Sequence, residues 1–484
     1  MENRGFHDYT VSEEIKKALK GLAYELPTKV QEQVIPLALD KKNLIVKAQT
    51  GSGKTAAFAI PICEVIQWLE NKPQALILTP TRELAVQVEE DVTNIGRLKR
   101  VKAAAIYGGH PFAMEKAQLK QKTHVVVGTP GRVMDHIKRG TLTLDKVQFV
   151  VIDEADRMLD MGFLEQVQFI LDKLPMQRTT LLFSATMPDE MKVISGAYMQ
   201  DASYIDVSQA DITADGIRHT IYFSEEEEKF ELLMDVTITE QPDSCIIFCN
   251  TKDGVDMLQS RLAGQGYRCT KIHGDMEQDD RLISMKRFQR GVFSYLAATD
   301  VAARGIDTGH ISLIINYDIP YDKEGYVHRT GRTGRAGQKG KAITFVTSAQ
   351  LRYLKNIEAY IGFELDQMTR PSAEEVALCK TSFDEKRKET PILRPEKGDE
   401  LNKDIMKLRF NAGKKKKLRA ANFVGVISNI EGVTAEDIGA ITILDTLTYI
   451  EILNNKGTLV LETMKNTRIG NKQLKVTQAM DKRD

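Results

Sequence analysis

Residues 43–65 read "NLIVKAQTGSGKTAAFAIPICEV", and this stretch decides the fold class. An unbroken apolar run makes a strand buried on both faces, as a parallel sheet covered by helices requires. A glycine-punctuated turn follows it, and an apolar helical segment follows the turn. Glycines at 51 and 53 let backbone N–H groups turn inward around phosphate oxygens, and the start of the next helix adds the positive end of its dipole. Lys54 would reach the β- and γ-phosphates, and the Thr55 hydroxyl would ligate Mg2+. A glycine turn without a ligand is the plainer alternative. Strand, loop, Lys-Thr pair and helix in that order weigh against it.

The same alternation repeats outward from this point. "ALILT", "HVVVGT", "FVVIDEA" and "TTLLFSAT" are further apolar runs before residue 206. "SCIIFCN", "CTKIHGD", "YLAATD", "LIINYDI" and "AITFVT" form a second series. Two α/β lobes, residues 1–206 and 216–368 joined near 207–215, fit better than a single, implausibly wide sheet. Residues 369–403 mix charges with prolines and read as a linker or solvated extension. Residues 404–484 regain order. There "NFVGVIS", "GAITILD", "TYIEIL" and "KQLKVTQ" read as strands, and "TAEDIGA" and "GTLVLETMKN" as helices. The order βαββαβ is that of a small split-βαβ sandwich. The fold class is therefore α/β: two tandem parallel-sheet lobes plus a C-terminal α+β domain.

Net charge over the 484 residues is zero but uneven. Residues 401–484 carry 15 Lys/Arg against 9 Asp/Glu, which points to a basic module with a polyanionic partner. The run "NAGKKKKLRA" at 411–420 reads as a solvated spacer, a sorting signal, or the edge of an anion-gripping surface. The five cysteines form no paired zinc spacing and fit buried thiols in a reducing compartment. No apolar run is long enough to span a bilayer, and "MENRGFHDYT" lacks the core of a signal peptide. These features predict a cytoplasmic protein without a membrane partner.

Two further motifs carry chemistry. "FVVIDEAD" ends an apolar strand in three carboxylates, which repel one another unless a cation sits among them. Asp153 would hold Mg2+ through water, and Glu154 would position or deprotonate the attacking water. "HRTGRTGRAG" puts three arginines in a glycine-rich loop that holds no core. Beside a phosphate loop and an acidic metal site, Arg332 and Arg335 read as arginine fingers for a γ-phosphate.

Together these segments resemble the DEAD-box family of ATP-dependent RNA helicases over residues 6–369. The resemblance implies two RecA-like lobes that use ATP and Mg2+. It makes Lys54, Asp153, Glu154, Arg332 and Arg335 the catalytic set. Phe6 would stack on adenine and Gln31 would hydrogen-bond it. Ala48, Gln49, Thr50, Gly51, Ser52, Gly53, Lys54 and Thr55 would wrap the phosphates, with Asp307 on the ribose. Ser184, Ala185 and Thr186, with Asp156 and His328, would couple hydrolysis to duplex opening. Pro80, Thr81, Arg82, Gly108, Gly109, Thr129, Pro130, Gly131 and Arg132 would contact the RNA backbone. Gln278, Arg281, Thr299 and Arg304 would do so from the second lobe. Ala23 and Ala48 stand where the family usually has glycine. ATP and RNA each touch both lobes in this mechanism, so their binding is coupled, and closure bends one strand away from its partner. Backbone contacts carry no sequence information.

Specificity then falls to the tail, whose order resembles the RNA-recognition (RRM-like) fold. Its sheet offers two candidate aromatics, Tyr449 and Phe423, where base stacking uses two or three. Lys414, Lys415, Lys416, Lys417, Arg419, Lys465, Arg468, Lys472 and Lys475 make it basic. A helicase core followed by "KLRAANFVGVISNIEGVTAEDIGAITI" resembles the DbpA group, also called YxiN-like. That implies a monomer targeted to a large-subunit ribosomal RNA hairpin in pre-ribosomal particles, acting in ribosome assembly. An ATP-gated RNA clamp uses the same residues and is the alternative. A DNA helicase fits the "PTRELA" pattern less well.

Overall fold

The structure is a computed structural model that describes residues 5–49, 51–207, 216–300, 311–334, 339–469 and 472–479. The chain forms two compact units. One holds the first lobe together with the residues from Glu396 onward, and the other holds the second lobe, Asp206–Pro395.

In the first lobe seven strands make one sheet: β1 (Leu44–Lys47), β2 (Ala75–Leu78), β3 (Ala103–Ile106), β4 (Val125–Gly128), β5 (Phe149–Ile152), β6 (Thr179–Ser184) and β7 (Ser203–Asp206). Their order is β3-β4-β2-β5-β6-β1-β7, and the pairings from β3 through β1 are parallel. Every residue of β2, β4, β5 and β6 is buried, as their apolar runs require. The sequence reading missed β3 and β7. Both are sheet edges, and β3 is alanine-rich with alternating burial, so it lacks the continuous apolar run used to find the others.

The second lobe repeats the plan with β8 (Ile217–Phe223), β9 (Cys245–Phe248), β10 (Cys269–Ile272), β11 (Tyr295–Ala298), β12 (Leu313–Asn316), β13 (Gly340–Val346) and β14 (Asp366–Met368). Their order is β10-β11-β9-β12-β13-β8-β14, again with parallel pairings. Where the sequence reads as a linker, the structure has the helix Ala373–Lys388, opened by a Ser372–Glu375 capping box. It inserts Phe383 against Tyr267 of the second lobe's core, ring centroids 5.6 Å apart. One buried aromatic on a charged helix is too weak a period to read from sequence.

The tail has the expected βαββαβ order, with two elements read in the wrong state. Its first strand is β15 (Met406–Phe410), and "FVGVIS" belongs to the helix Ala420–Ile427. Strands β16 (Ile438–Ile443), β17 (Thr448–Ile452) and β20 (Val476–Gln478) complete an antiparallel sheet in the order β16-β17-β15-β20. "TAEDIGA" gives only a short 3-10 turn, Ala435–Asp437, before β16, whereas the helix Gly457–Asn466 lies where expected. A small hairpin, β18 (Arg468–Ile469) with β19 (Lys472–Gln473), precedes β20. Phe423 is fully buried and meets Phe410 edge-on at 5.2 Å, so it is a core residue and cannot stack on a base.

The tail also packs on the first lobe. Arg97 bonds Asn402 Oδ1 at 2.5 Å and Glu451 Oε1 at 3.0 Å. Arg100 donates to the Ala435 carbonyl at 2.5 Å, and Lys102 donates to the Ile441 carbonyl and, at 3.3 Å, to Thr442 Oγ1. All five cysteines are free thiols, four of them buried. Among the described residues no helix is long and apolar enough to cross a membrane.

Candidate nucleotide and RNA site

The order of the first sheet sorts its strand ends into two groups. The carboxyl ends of β5, β6 and β1 lie side by side, and they carry Asp153–Asp156, Ser184–Thr186 and the glycine turn. The ends of β3, β4 and β2 adjoin them, and they carry Gly108–Gly109, Thr129–Arg132 and Pro80–Arg82. Loops at the carboxyl ends of parallel strands are where such sheets bind ligands.

The glycine turn enters the helix Lys54–Val65 through Gly53, whose φ of 89° is one that a residue with a Cβ rarely adopts. A Cβ there would also lie 2.5 Å from Gln31 Nε2. Gln31 is held on both sides, donating to the Gly53 carbonyl at 3.0 Å and accepting from Thr28 N–H at 2.9 Å. Ser52 Oγ bonds the Gln49 carbonyl at 2.8 Å. Lys54 is buried, and Thr55 is half-buried on the first turn of the helix. Phe6 is buried between Tyr24, edge-on at 5.7 Å, and Tyr9 at 6.0 Å.

The acidic tetrad is buried too. Burial pushes the Asp153 carboxyl up to about 6, although the Lys54 charge opposes it. Glu154 sits at φ 53°, ψ 52°, a left-handed conformation that costs a non-glycine residue about 1–2 kcal/mol. Strain of this kind persists where the surroundings enforce it, and it clusters at functional positions. Asp156 turns the other way. One of its oxygens accepts from Ala185 N–H at 3.1 Å, Thr186 N–H at 3.0 Å and Thr186 Oγ1 at 3.1 Å. Its own N–H donates to Ser184 Oγ at 3.2 Å. The tetrad and residues 184–186 are thus one hydrogen-bonded body.

On the neighbouring strand ends, Thr81 caps the helix Arg82–Ile95, accepting from Leu84 N–H at 3.3 Å. A Cβ on Gly109 would meet Arg82 Nη1 at 2.5 Å, so the Arg82 guanidinium lies on the Gly108–Gly109 turn. Pro130 and Gly131 begin the helix Pro130–Lys138 after Thr129, and a Cβ on Gly131 would face open space. Arg132 bonds Glu115 Oε2 at 2.7 Å and also reaches the His110 carbonyl.

In the second lobe, Gln278 and Arg281 are buried at the start of the helix Gln278–Gln289. Thr299 follows β11, its N–H on the Ile272 carbonyl at 3.3 Å. His328 is half-buried, and Arg332 is buried with Nε on the His328 carbonyl at 3.2 Å. Arg329, given no role in the sequence reading, is a structural hub. It bonds Asp300 twice, Asn250 Oδ1 at 2.8 Å and the Asp318 carbonyl at 2.6 Å. Its signal was present: three adjacent strands end in Asn or Asp ("FCN", "ATD", "NYD"), acceptors that call for one buried cation. Thr50, Arg304, Asp307 and Arg335 lie outside the described residues.

The lysine run of the tail is pinned. Lys414 and Lys415 N–H groups bond the Leu444 and Asp445 carbonyls at 2.9 Å each, and a Cβ on Gly413 would overlap the Leu444 oxygen. Lys472 Nζ donates to the Lys416 carbonyl at 2.7 Å, and Lys475 N–H donates to Asn411 Oδ1 at 2.9 Å. Residues 414–417, Arg419, Arg468, Lys472 and Lys475 are all exposed. Lys465 is exposed as well, and pairs with Glu462 at 2.6 Å. On the sheet, Tyr449 has Lys407 over its ring at 5.6 Å.

Three family models match the chain: DEAD/DEAH box helicase over residues 28–194, Helicase conserved C-terminal domain over 228–337, and DbpA RNA binding domain over 407–478. The chain is 59% identical over 474 residues to the ATP-dependent RNA helicase DbpA of Bacillus subtilis (strain 168), covering 98% of this chain and 99% of that one. It is 44% identical over 370 residues to the DEAD-box ATP-dependent RNA helicase CshA of Geobacillus kaustophilus, covering 76% and 79%. Among solved structures it resembles S. cerevisiae Dbp5 bound to RNA and ADP BeF3, with TM-score 0.71 and 31% identity, covering 78% of this chain and 99% of that one.

Proposed function

The chain belongs to the DEAD/DEAH box helicase family and is an ATP-dependent RNA helicase, and from that premise we propose that its tail addresses it to large-subunit ribosomal RNA during ribosome assembly. In this reading the protein is a cytoplasmic monomer that opens short duplexes beside the site its tail grips. The observation that carries the coupling of ATP to RNA is the Asp156 carboxylate, which ties the nucleotide tetrad to residues 184–186 through three hydrogen bonds.

Lys54 would bind the β- and γ-phosphates and Glu154 would orient water, while Gln31 and Phe6 would hold adenine. Arg332 and Arg335 would supply charge to the γ-phosphate from the second lobe. The Thr55 hydroxyl and Asp153 carboxylate are hard oxygen donors of the kind Mg2+ takes. A second cation beside Asp153 suits a carboxyl pushed up by burial. Among the described residues there is no group of three or more His, Cys, Asp or Glu that could hold a metal. Mg2+ would neutralise charge on the phosphates there. Residues 80–82, 108–109 and 129–132 would hold one RNA strand by its backbone. The exposed cations at 414–417, 419, 468, 472 and 475 would grip phosphates of the target.

The test is ATPase stimulation across large-subunit ribosomal RNA fragments and random RNA. Lys54→Ala and Glu154→Gln should abolish turnover. Replacing the lysines at 414–417 by glutamine should erase preference among RNAs and lower the salt slope of binding by about one unit per lost phosphate contact. Equal stimulation of the intact chain by ribosomal and random RNA would remove the targeting half of the proposal.

A further inference from the structure

Beside the RNA half of the first sheet lies a carboxylate that no motif accounts for. Glu115, on the helix Phe112–Leu119, has a fully buried side chain. Its Oε1 accepts the Tyr107 N–H at 3.0 Å and lies 3.5 Å from His110 Nδ1. Its Oε2 accepts Arg132 Nε at 2.7 Å and contacts His136 Nε2 at 2.9 Å. Arg132 in turn donates to the His110 carbonyl. Phe112 closes the box, stacked on His136 at 4.1 Å with the Arg132 and Arg139 guanidinium groups 5.1 and 4.4 Å from its ring centre.

Tyr107 and His110 flank Gly108 and Gly109. The carboxylate therefore fixes the Tyr107 shoulder of that turn directly, and the His110 shoulder through Arg132, which comes from a different strand end. Burial alone would push Glu115 up. Bonds from His136, Tyr107 N–H and Arg132 more than offset it and hold the carboxyl below the usual range. A buried charge is seldom the cheapest way to fill a core, since apolar residues of similar volume often do as well or better. What a buried carboxylate with donors on every side provides is direction: it fixes where each donor points.

We propose that Glu115 is a positioning residue for RNA: it presets the 108–109 turn and the Arg132 guanidinium as one rigid phosphate-binding surface. This rests on the reading that Arg132 contacts the RNA backbone. Preorganisation of this kind lowers the ordering cost at binding, so its loss appears in affinity more than in turnover.

The experiment measures the RNA concentration for half-maximal ATPase stimulation in Glu115→Gln, Arg132→Ala, the double variant and His136→Gln, each with its thermal midpoint. Glu115→Gln keeps the volume and an acceptor for Tyr107 N–H. It should raise half-saturation about ten-fold while lowering the rate at saturating RNA much less. Added to Arg132→Ala, it should cost little more, because the two act through one contact. His136→Gln leaves the Glu115–Arg132 bond in place and should shift half-saturation less than two-fold, even where its thermal midpoint falls. A normal half-saturation in Glu115→Gln beside a weakened Arg132→Ala would overturn the positioning role alone. An unaltered Arg132→Ala would overturn the RNA reading of this loop, and the proposal with it. Equal shifts in Glu115→Gln and His136→Gln that track their thermal midpoints would reduce Glu115 to a stability residue.

Discussion

Asp156 shows what a single side chain contributes at this site. Asp156→Ala would leave the half-buried N–H groups of Ala185 and Thr186 without their carboxylate acceptor, at about 1–2 kcal/mol each. Denaturant unfolding should show a loss of about 2–4 kcal/mol, and strand separation per ATP hydrolysed should fall further than hydrolysis itself. Ala23 is the opposite case. It holds φ 57° just past the helix Glu13–Gly21, the left-handed position after a helix end that glycine usually takes. Ala23→Gly should therefore stabilise the protein by roughly 0.5–1 kcal/mol, the left-handed strain less the extra entropy of glycine, read as a higher urea midpoint. The motif residues stood out in the sequence because phosphate and metal chemistry admits few residue types at fixed short spacings. Glu115 showed no such pattern, and Arg329 could be found only by joining strand ends up to 79 positions away from it.

Among elements, the helix Ala420–Ile427 shows how a short apolar run misleads. "FVGVI" satisfies a strand by composition, yet Phe423 and Ile427 are four apart and both fully buried, which is the helical period. Asn422 settles the start, its Oδ1 accepting the Arg419 N–H at 2.8 Å. Phe423→Ala should cost the tail about 3–5 kcal/mol, visible as loss of its own melting transition while nucleotide binding by the first lobe persists. The helix Ala373–Lys388 was hidden by its charges. Its capping box makes a milder prediction: Ser372→Ala should cost about 1 kcal/mol by denaturant titration. Strands buried on both faces needed no such context and were read at nearly their observed positions. The edge strands β3, β7 and β14 and the inner strands β8 and β15 were missed, since each is short, half-exposed or interrupted by polar residues.

For the whole molecule, packing of the tail on the first lobe was beyond any local pattern, because it joins residues more than 300 positions apart. Its chemistry predicts a pH dependence. Burial, only partly offset by Glu451, brings the Lys102 ammonium down to about 8. A lysine whose docked value lies below its free value of about 10.4 sheds its proton on docking. Docking then strengthens as pH rises from about 8 toward that free value, and loses this contribution as pH falls through 8. Energy transfer between labels on the first lobe and the tail should rise over that window, and Lys102→Met should flatten it. The same contact changes what a truncation means. Arg97, Arg100 and Lys102 spend their hydrogen bonds on Asn402, Glu451 and carbonyls of the tail. A chain shortened before the tail would release three cations to solvent, with counterions to exchange for any passing polyanion. The shortened motor would be a stickier protein as well as one without an address. A comparator that keeps the tail folded, with only its lysine run neutralised, separates those two effects.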